Sequence, residues 1–552
     1  MKKSILTVGL CLTATVLSFA QRSGNHNFEI SKNLEIFNDI YKQLDLFYVD
    51  TLEADTVIEW AIHSLLRQVD PFTVYYPEDD MDELKEMTTG KYAGMGALIR
   101  YYKKEDRVMI AEPWEDSAAT EAGVKAGDVI LTIDGKDVKG MNTAQVSKML
   151  RGDAGTVFEL KVKRAGSEEP LTFKVTRRNI VMPSVPYYGM LDHKIGYVYF
   201  ERFAENCSRD VRRAIVDLKE QGAQALVLDL RGNGGGPLVE AVEVANLFIP
   251  RGQKVVYTKG KLESVNSEHY TKKEPLDTKM PVAVLVDGTT ASSAEIVSGA
   301  LQDLDRAVII GTRTFGKGLV QMIREAPYHG SLKVTTSRYY IPSGRCIQAY
   351  DYRHLNPDGS AGTVPDSLTK AFKTAGGREV RDGGGINPDI IIAPDSLPSM
   401  VYDLADSEVL IEYVNHYVAT HPTIAPAGEF TLSDADYEDF VKTVAESGFT
   451  YKRRTEEMMK VLESAARFEG CYDDAADEFK ALAGKMQGNV HTDMERFKDK
   501  IRTLLELEIV TRYYFRKGTV RQQLRNDEDV KAAIELLSDP ARYENLLKPK
   551  KK

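Results

Sequence analysis

The chain has 552 residues, of which 43% are hydrophobic and 28% are charged, and its formal net charge is −10. This length predicts several domains, because single hydrophobic cores stop growing beyond about 250–300 residues. The composition is that of a soluble globular protein. Outside the last five residues, Lys and Arg form no basic stripe. Nucleic acid is therefore not expected as a partner, since neutralising phosphates needs clustered positive charge.

The first twenty residues have the pattern of a bacterial secretory signal peptide. Lys2 and Lys3 precede an apolar run over 5–17, and Ser18-Phe19-Ala20 fits a small-x-small cleavage site. The run is too short to span a bilayer comfortably, although an anchor that is retained is the alternative. We expect an exported, periplasmic protein that is soluble once cleaved, or that lies at the membrane periphery.

The cysteines outside this segment indicate neither a disulfide framework nor a metal site. Cys207, Cys346 and Cys471 are few, odd in number and widely separated, and they lack the spacing of metal ligands. We expect three buried thiols, with one disulfide as the alternative, and no metal or other cofactor.

Residues 21–88 are predicted to form an N-terminal helical region. Apolar residues between Phe28 and Phe47 recur at helical spacing, and 56–66 repeats the pattern. Asp70-Pro71 then interrupts it, as proline does in a helix.

Residues 89–179 change to short strands separated by glycine and proline, which predicts a β-rich domain. Glu112-Pro113, the run over 122–130 (AGVKAGDVI) and Ile133-Asp134-Gly135 follow one another at a spacing that resembles a PDZ domain. The resemblance implies a peptide-binding loop at Gly94, Met95, Gly96 and Ala97, where backbone N–H groups would bind a terminal carboxylate. The alternative is that these glycines only permit a tight turn.

Residues 180–398 alternate strands with helices, which predicts an α/β core with a largely parallel sheet. The first chemically suggestive segment is 228–236 (LDLRGNGGG), where an apolar strand runs into four glycines. Glycines at such a position let backbone amides approach a reacting atom with no side chain in the way. A flexible connector is the simpler alternative, but it would not need four glycines beside Arg231 and Asn233.

The second segment places Ser292 at the start of a predicted helix after an apolar strand. Free N–H groups and the positive end of the helix dipole favour a developing anion there. On this segment alone an ordinary capping box of Ser292 with Glu295 is the better interpretation. Ser293, directly beside Ser292, is a rival nucleophile.

The third segment, 311–321 (GTRTFGKGLVQ), places Lys317 between two glycines and beside apolar residues. A lysine can activate a serine when desolvation lowers its pKa from about 10.4 towards 7–8. The same letters match a P-loop except at the last position, where Gly318 replaces the Ser or Thr that binds magnesium. An NTPase is therefore disfavoured.

Together, in this order, the PDZ-like region and these three segments resemble the C-terminal processing peptidases, also called tail-specific proteases. The resemblance extends over residues 30–395. It implies that Ser292 is the nucleophile, that Lys317 is the general base, and that Gln321 orients the lysine through a hydrogen bond. It also implies an oxyanion hole from the amides of Gly234, Gly235 and Ser293, with the contributing glycine left open.

Beyond Ser399 the chain is helical and charged, with candidate helices over 402–419, 434–446, 456–485, 492–515 and 529–537. We expect no catalytic group there, and either a homo-oligomer or adaptor interface or a simple cover for the core.

The expected fold class is multidomain α+β: N-terminal helices, a PDZ domain, an α/β core of the crotonase or ClpP-like type, and a C-terminal helical extension over 399–552. The expected function is that of a serine endopeptidase that cleaves exported proteins near or from their C-terminus through a Ser–Lys dyad. The PDZ domain is expected to bind the free, unstructured C-terminus of the polypeptide substrate. The alternative is a PDZ scaffold on an inactive hydrolase core.

Overall fold

The computed structural model describes residues 26–393 and 396–549. The expected signal peptide lies outside the described residues. The fold is multidomain α+β, as predicted, with a PDZ-like β-rich domain, an α/β core and C-terminal helices.

The N-terminal region contains a strand as well as helices. Residues 26–47 are helical, and the helices Ala54–Arg67 and Met81–Thr89 follow. Between the last two, Val74–Tyr76 pairs antiparallel with Ser331–Tyr340 of the core. Helices alone were expected here, because a three-residue strand whose partner is some 250 residues away has no local signal in the sequence.

The PDZ domain is built on antiparallel strands, and its buried and exposed residues alternate. In Val157–Lys163, the side chains of Phe158, Leu160 and Val162 are buried and the four others are exposed. This is the period-two pattern of a sheet with one face in the core. The strands are Ala97–Tyr102, Arg107–Pro113, Val129–Ile133, Lys136–Asp137, Val157–Lys163 and Leu171–Thr176, and the helices are Ala118–Ala122 and Thr143–Leu150.

Two short strands close the PDZ domain where the chain enters and leaves it. Lys91–Gly94 pairs antiparallel with Arg178–Val181. The pairing fixes Gly94, the first residue of the expected peptide-binding loop, beside the first residues of the core.

The core contains a six-stranded sheet that is parallel except at its first pair. In order across the sheet, the strands are Tyr187–Leu191, Ile195–Tyr199, Ala225–Asp229, Val282–Val286, Val308–Gly311 and Ile390–Ile391. The middle strands are wholly buried because helices cover both faces. The helices Cys207–Glu220, Leu238–Ala245 and Ser293–Asp303 cover one face.

A second, antiparallel sheet lies beside this one and was not expected from the sequence. Its longest strand, Ser331–Tyr340, pairs with three segments that come from different parts of the chain. The sheet contains Val74–Tyr76, Ser331–Tyr340, Lys254–Gly260 and Ser267–Tyr270, and Leu319–Glu325 pairs with Ser331–Tyr340. Two further hairpins are Tyr350–Leu355 with Ala361–Thr363 and Ala371–Lys373 with Glu379–Arg381.

The C-terminal region is helical, but three of its expected helices are divided. The Ser407 hydroxyl accepts the N–H of Leu410 and starts a new helix inside 402–419. Gly470, with φ of 77°, ends a helix inside 456–485. The helices are Ser399–Ala405, Glu408–Thr420, Asp434–Glu446, Arg454–Glu469, Ala476–Met486, Val490–Arg496, Lys498–Gln523, Glu528–Leu537 and Pro540–Leu546.

Within the described ranges, no helix has the length and apolar character needed to cross a membrane. The cysteines there are free: Cys207 is buried, Cys346 is half-buried and Cys471 is exposed. The expectation of a buried thiol is therefore wrong for Cys471, which follows the helix-ending Gly470 on the surface.

Candidate active site

Three loops meet at one edge of the parallel sheet. They follow Ala225–Asp229, Val282–Val286 and Val308–Gly311, and the carboxyl ends of neighbouring parallel strands lie at the same edge. Backbone hydrogen bonds join the loops: Ala291 N–H to the Asn233 carbonyl at 2.9 Å, and Phe315 N–H to the Thr290 carbonyl at 3.0 Å. The glycine run, Ser292 and Lys317 are thus brought together.

Ser292 lies at the junction between its loop and the helix Ser293–Asp303, in a strained backbone conformation. Its φ is 55° and its ψ is −116°. Such a conformation costs a non-glycine residue about 1–3 kcal/mol and recurs at functional sites, where it directs a side chain. The adjacent helix N-terminus adds a partial positive charge.

The side chain of Glu295 connects the serine segment to the lysine segment. Its carboxylate is fully buried and accepts the N–H groups of Ser292 at 2.9 Å and of Lys317 at 2.9 Å. It also accepts the Gly316 N–H at 2.7 Å and the Thr314 hydroxyl at 2.6 Å. Burial raises the pKa of Glu295 to about 7, although these donated hydrogen bonds oppose the rise.

The glycine run packs closely against the serine. A Cβ on Gly235 would come within 2.8 Å of the Ser292 Cβ and within 2.7 Å of the Ala291 carbonyl oxygen, so only glycine fits. The Gly235 N–H donates to the Asn233 side chain at 2.9 Å, whereas a Cβ on Gly234 would meet no atom within 4 Å. Gly234 therefore borders open space beside the serine.

Ser293 differs from Ser292 in having its hydroxyl engaged. It is 1% exposed, and its Oγ donates to the Gly236 carbonyl at 2.7 Å. This hydrogen bond connects the helix start to the glycine run.

The amine of Lys317 is largely removed from water. Desolvation, assisted by the positive charge of Lys333, lowers the pKa of Lys317 to about 8. Its Nζ lies 4.2 Å from the ring centroid of Phe72, in the N-terminal region. No hydrogen bond between Lys317 Nζ and the Ser292 hydroxyl is found among the described residues, so the amine is turned to the ring in this conformation.

Gln321 lies on Leu319–Glu325, and its amide donates to the Thr335 hydroxyl at 3.0 Å. Among the described residues, the expected hydrogen bond between Gln321 and Lys317 is not formed. The reason is geometric: Leu319–Glu325 pairs with Ser331–Tyr340, which places Thr335 directly opposite Gln321.

Of the four residues expected to bind peptide, Gly94, Met95 and Ala97 line a groove of the PDZ domain, and Gly96 lies between them in the chain. Met95 is buried, Gly96 has φ of 78°, and Ala97 begins the strand Ala97–Tyr102. A groove of about 270 Å³ is lined by Gly94, Met95, Ala97, Leu98, Leu150 and Arg151, among others.

Two further residues of this groove, Arg151 and Tyr92, were not expected from the sequence. The Arg151 guanidinium lies 4.9 Å from the centroid of the Tyr92 ring and forms an ion pair with Glu86 at 2.7 Å. Glu295 was seen only as a cap, and Phe72 was not considered. An arginine directly after the helix that borders a PDZ groove is a signal that could have been used; the contacts of Glu295 and Phe72 depend on tertiary structure.

Comparisons with known proteins agree with this architecture. Peptidase family S41 matches residues 194–361, a PDZ domain matches 109–164, and "Probable PDZ-protease, C-terminal helical domain" matches 400–537. The match to this last domain covers a region outside the motifs used above.

A "Carboxy-terminal-processing protease" of Bartonella bacilliformis is 35% identical over 352 residues, which are 63% of this chain and 80% of that protein. A "Probable CtpA-like serine protease" of Staphylococcus epidermidis is 32% identical over 376 residues, 66% of this chain and 74% of that one. Among solved structures, a photosystem II D1 C-terminal processing protease has 26% identity and a TM-score of 0.35, covering 66% of this chain and 93% of its own. The chain belongs to peptidase family S41, with the carboxy-terminal-processing proteases, and is a serine peptidase.

Proposed function

We propose that the protein is an exported endopeptidase that cleaves polypeptides near their C-terminus through a dyad of Ser292 and Lys317. The observation that carries this proposal is that the Glu295 carboxylate accepts hydrogen bonds from the backbone N–H groups of both Ser292 and Lys317. A strained serine and a desolvated lysine are thereby held on one buried anchor.

In the proposed reaction, neutral Lys317 takes the proton of the Ser292 hydroxyl as the Oγ attacks the scissile carbonyl. The amine must first turn from the Phe72 ring towards the serine. The resulting ammonium returns the proton to the leaving amine, and water then releases the acyl group with the same base. Gln321 would hold the lysine in line once it has turned.

The developing oxyanion would be bound by backbone amides. We assign this role to the N–H of Ser293, at the helix start, and to Gly234 or Gly235 in the glycine run. Gly234 is the better candidate in this conformation, because the Gly235 N–H already donates to Asn233.

Ser292 is preferred to Ser293 as the nucleophile on hydrogen bonding and burial. The Ser293 hydroxyl donates to a backbone carbonyl and is almost wholly buried. Using it would require breaking that hydrogen bond, whereas Ser292 occupies the strained position.

Substrate selection is assigned to the PDZ groove. A free carboxylate would bind the N–H groups of the Gly94–Ala97 loop, and the residues before it would add as a strand along Ala97–Tyr102. This binding would raise the local concentration of unstructured tails near Ser292. Export through the N-terminal segment belongs to the same proposal and is tested by sequencing the N-terminus of the secreted protein.

The decisive experiment compares wild type with Ser292→Ala, Lys317→Ala and Ser293→Ala on an unfolded protein substrate, with products mapped by mass spectrometry. The first two variants should lose at least about 10³-fold in kcat/KM, because nucleophile and base act as a unit. Ser293→Ala should keep measurable activity. Loss in Ser293→Ala with cleavage retained by Ser292→Ala would move the nucleophile by one residue, and full activity of Lys317→Ala would exclude the dyad.

The pH dependence tests the base separately. Only neutral Lys317 can accept a proton, and its pKa is lowered to about 8. Activity should therefore be low below pH 7 and should rise through about pH 8. A chemistry-limited rate that is flat from pH 6 to 9 would contradict a lysine base; an inactive PDZ scaffold would cleave at no pH.

A further inference from the structure

Residues 70–73 form a turn, buried at both ends, that leads from the N-terminal helices into the core. The Asp70 carboxylate accepts the N–H groups of Phe72 at 2.8 Å and Thr73 at 2.7 Å, and the Thr73 hydroxyl at 3.0 Å. Asp70 and Thr73 are each 5% exposed. The turn therefore presents Phe72 and Thr73 in fixed directions.

The Phe72 ring receives the ammonium of the catalytic lysine. Lys317 Nζ lies 4.2 Å from the ring centroid, within the range of a cation–π contact. The Tyr352 ring packs against Phe72 with a centroid distance of 5.8 Å and an interplanar angle of 88°. The ring is thus supported from the core.

Thr73 is connected to Gln321 through Thr335. The Thr73 oxygen accepts the Thr335 N–H at 3.2 Å, and the Thr335 hydroxyl accepts the Gln321 amide at 3.0 Å. The strand that follows the turn pairs Val74 with Lys333, which fixes the register of this contact.

We propose that this turn is a positioning element of the active site: Phe72 holds the protonated Lys317 away from Ser292, and Thr73 fixes Gln321 through Thr335. The inference rests on the proposed Ser–Lys dyad. It assigns a role in turnover to a segment that lies outside the S41-matched residues.

The attraction of the ring depends on the charge of the lysine. An aromatic face attracts an ammonium through its quadrupole but has no such attraction for a neutral amine. When Lys317 loses its proton, the ring would therefore no longer hold the amine, and the neutral amine could turn towards Ser292 and act as a base. The other charged groups that act on Lys317 are Lys333, which favours the neutral form, and Asp70 and Glu295, which favour the ammonium.

Phe72→Leu tests the first contact because it keeps an apolar side chain and removes the ring. The protonated lysine loses its partner, so the acidic limb of kcat/KM against pH should move to lower pH by roughly 0.4–1.5 units. Phe72→Tyr keeps an aromatic face and should leave the limb in place. Trp60→Leu, which changes an exposed aromatic residue of the same region, is the matched control.

Thr73→Val tests the second contact because it removes the hydroxyl while keeping the shape. We expect kcat to fall about tenfold with little change in KM, since Gln321 would lose its support. Thr73→Ser should restore most of the rate. Thermal unfolding of each variant separates these effects from loss of the fold.

The outcomes distinguish this inference from the proposed dyad. If Phe72→Leu leaves the midpoint unchanged or raises it, the role of the ring is overturned. If Thr73→Ser fails to rescue a folded Thr73→Val, the role of the hydroxyl is overturned. Ser292→Ala and Lys317→Ala are assayed beside them: activity in those variants would overturn the dyad itself.

Discussion

The buried Glu295 carboxylate connects the two segments that carry the proposed dyad. Its four hydrogen bonds join the start of a helix to a loop about twenty residues further along the chain. The sequence pattern of Ser292 followed by Glu295 predicts a cap, and the Ser292 N–H does donate to Glu295. The other three donors could not be predicted, because they come from a segment that tertiary folding brings to it.

Glu295→Gln should therefore be severely impaired although it is nearly isosteric. Each carboxylate oxygen of Glu295 now accepts two hydrogen bonds, whereas one of the two positions in glutamine is an NH2 group. That NH2 group would face two donors and could accept from neither. We expect kcat to fall at least about 10²-fold and the free energy of unfolding to fall by about 2–4 kcal/mol. Steady-state kinetics and urea unfolding measure the two effects.

The control is Glu379→Gln, at a carboxylate that is 65% exposed in its side chain and pairs with Arg381. It should change both quantities little, because exposed ion pairs contribute about 0–1 kcal/mol. A Glu295→Gln protein that cleaves at the wild-type rate would show that the shared anchor is dispensable for catalysis.

At the scale of elements, the strands of the parallel sheet could be predicted from the sequence, whereas the antiparallel sheet beside it could not. Ala225–Asp229 and Val282–Val286 are buried on both faces and read as continuous apolar runs in the sequence. Leu319–Glu325 is half-exposed or exposed along its whole length, and its partner Ser331–Tyr340 also pairs with Val74–Tyr76. Such pairings have no local signal, which is why the neighbours of Gln321 were missed.

The PDZ groove gives a prediction at the same scale. Arg151 directly follows the helix Thr143–Leu150, and its positively charged side chain lines the groove beside the Gly94–Ala97 loop. A peptide with a free carboxylate should be cleaved about tenfold or more faster than its amidated form by wild type, and Arg151→Met should reduce that ratio. The ratio of kcat/KM for the two peptides is the measurement.

Lys148→Met is the matched control, because Lys148 is on the same helix with its side chain 74% exposed. A bulky residue at Gly96 is a poorer test, since its Cβ would come within 2.6 Å of the Ser117 Cβ. Equal cleavage of free and amidated peptide by wild type would contradict tail recognition at this loop.

For the whole molecule, the C-terminal region divides into a part that covers the core and a part that projects from it. The last helices cover one face of the parallel sheet, where buried strand residues such as Val227 contact Val520, Val530, Leu536 and Tyr543. The hairpin of Arg454–Glu469 and Ala476–Met486 instead leaves Met458, Val461, Leu462 and Phe468 more than half exposed. The sequence showed apolar stripes in both parts and could not distinguish them.

Two deletions separate cover from assembly. Truncation after Pro398 removes the helices that bury one face of the parallel sheet, so we expect an insoluble or unfolded protein.

Removal of residues 457–487 should leave a folded, active enzyme. The ends of this segment are already close, because the Gly488 N–H donates to the Glu456 carboxylate at 2.7 Å, and a short Gly-Ser linker can join them. Light scattering then decides the role of the exposed hairpin: a lower molar mass than that of wild type would support assembly through it, whereas an unchanged mass would exclude it as the oligomer interface.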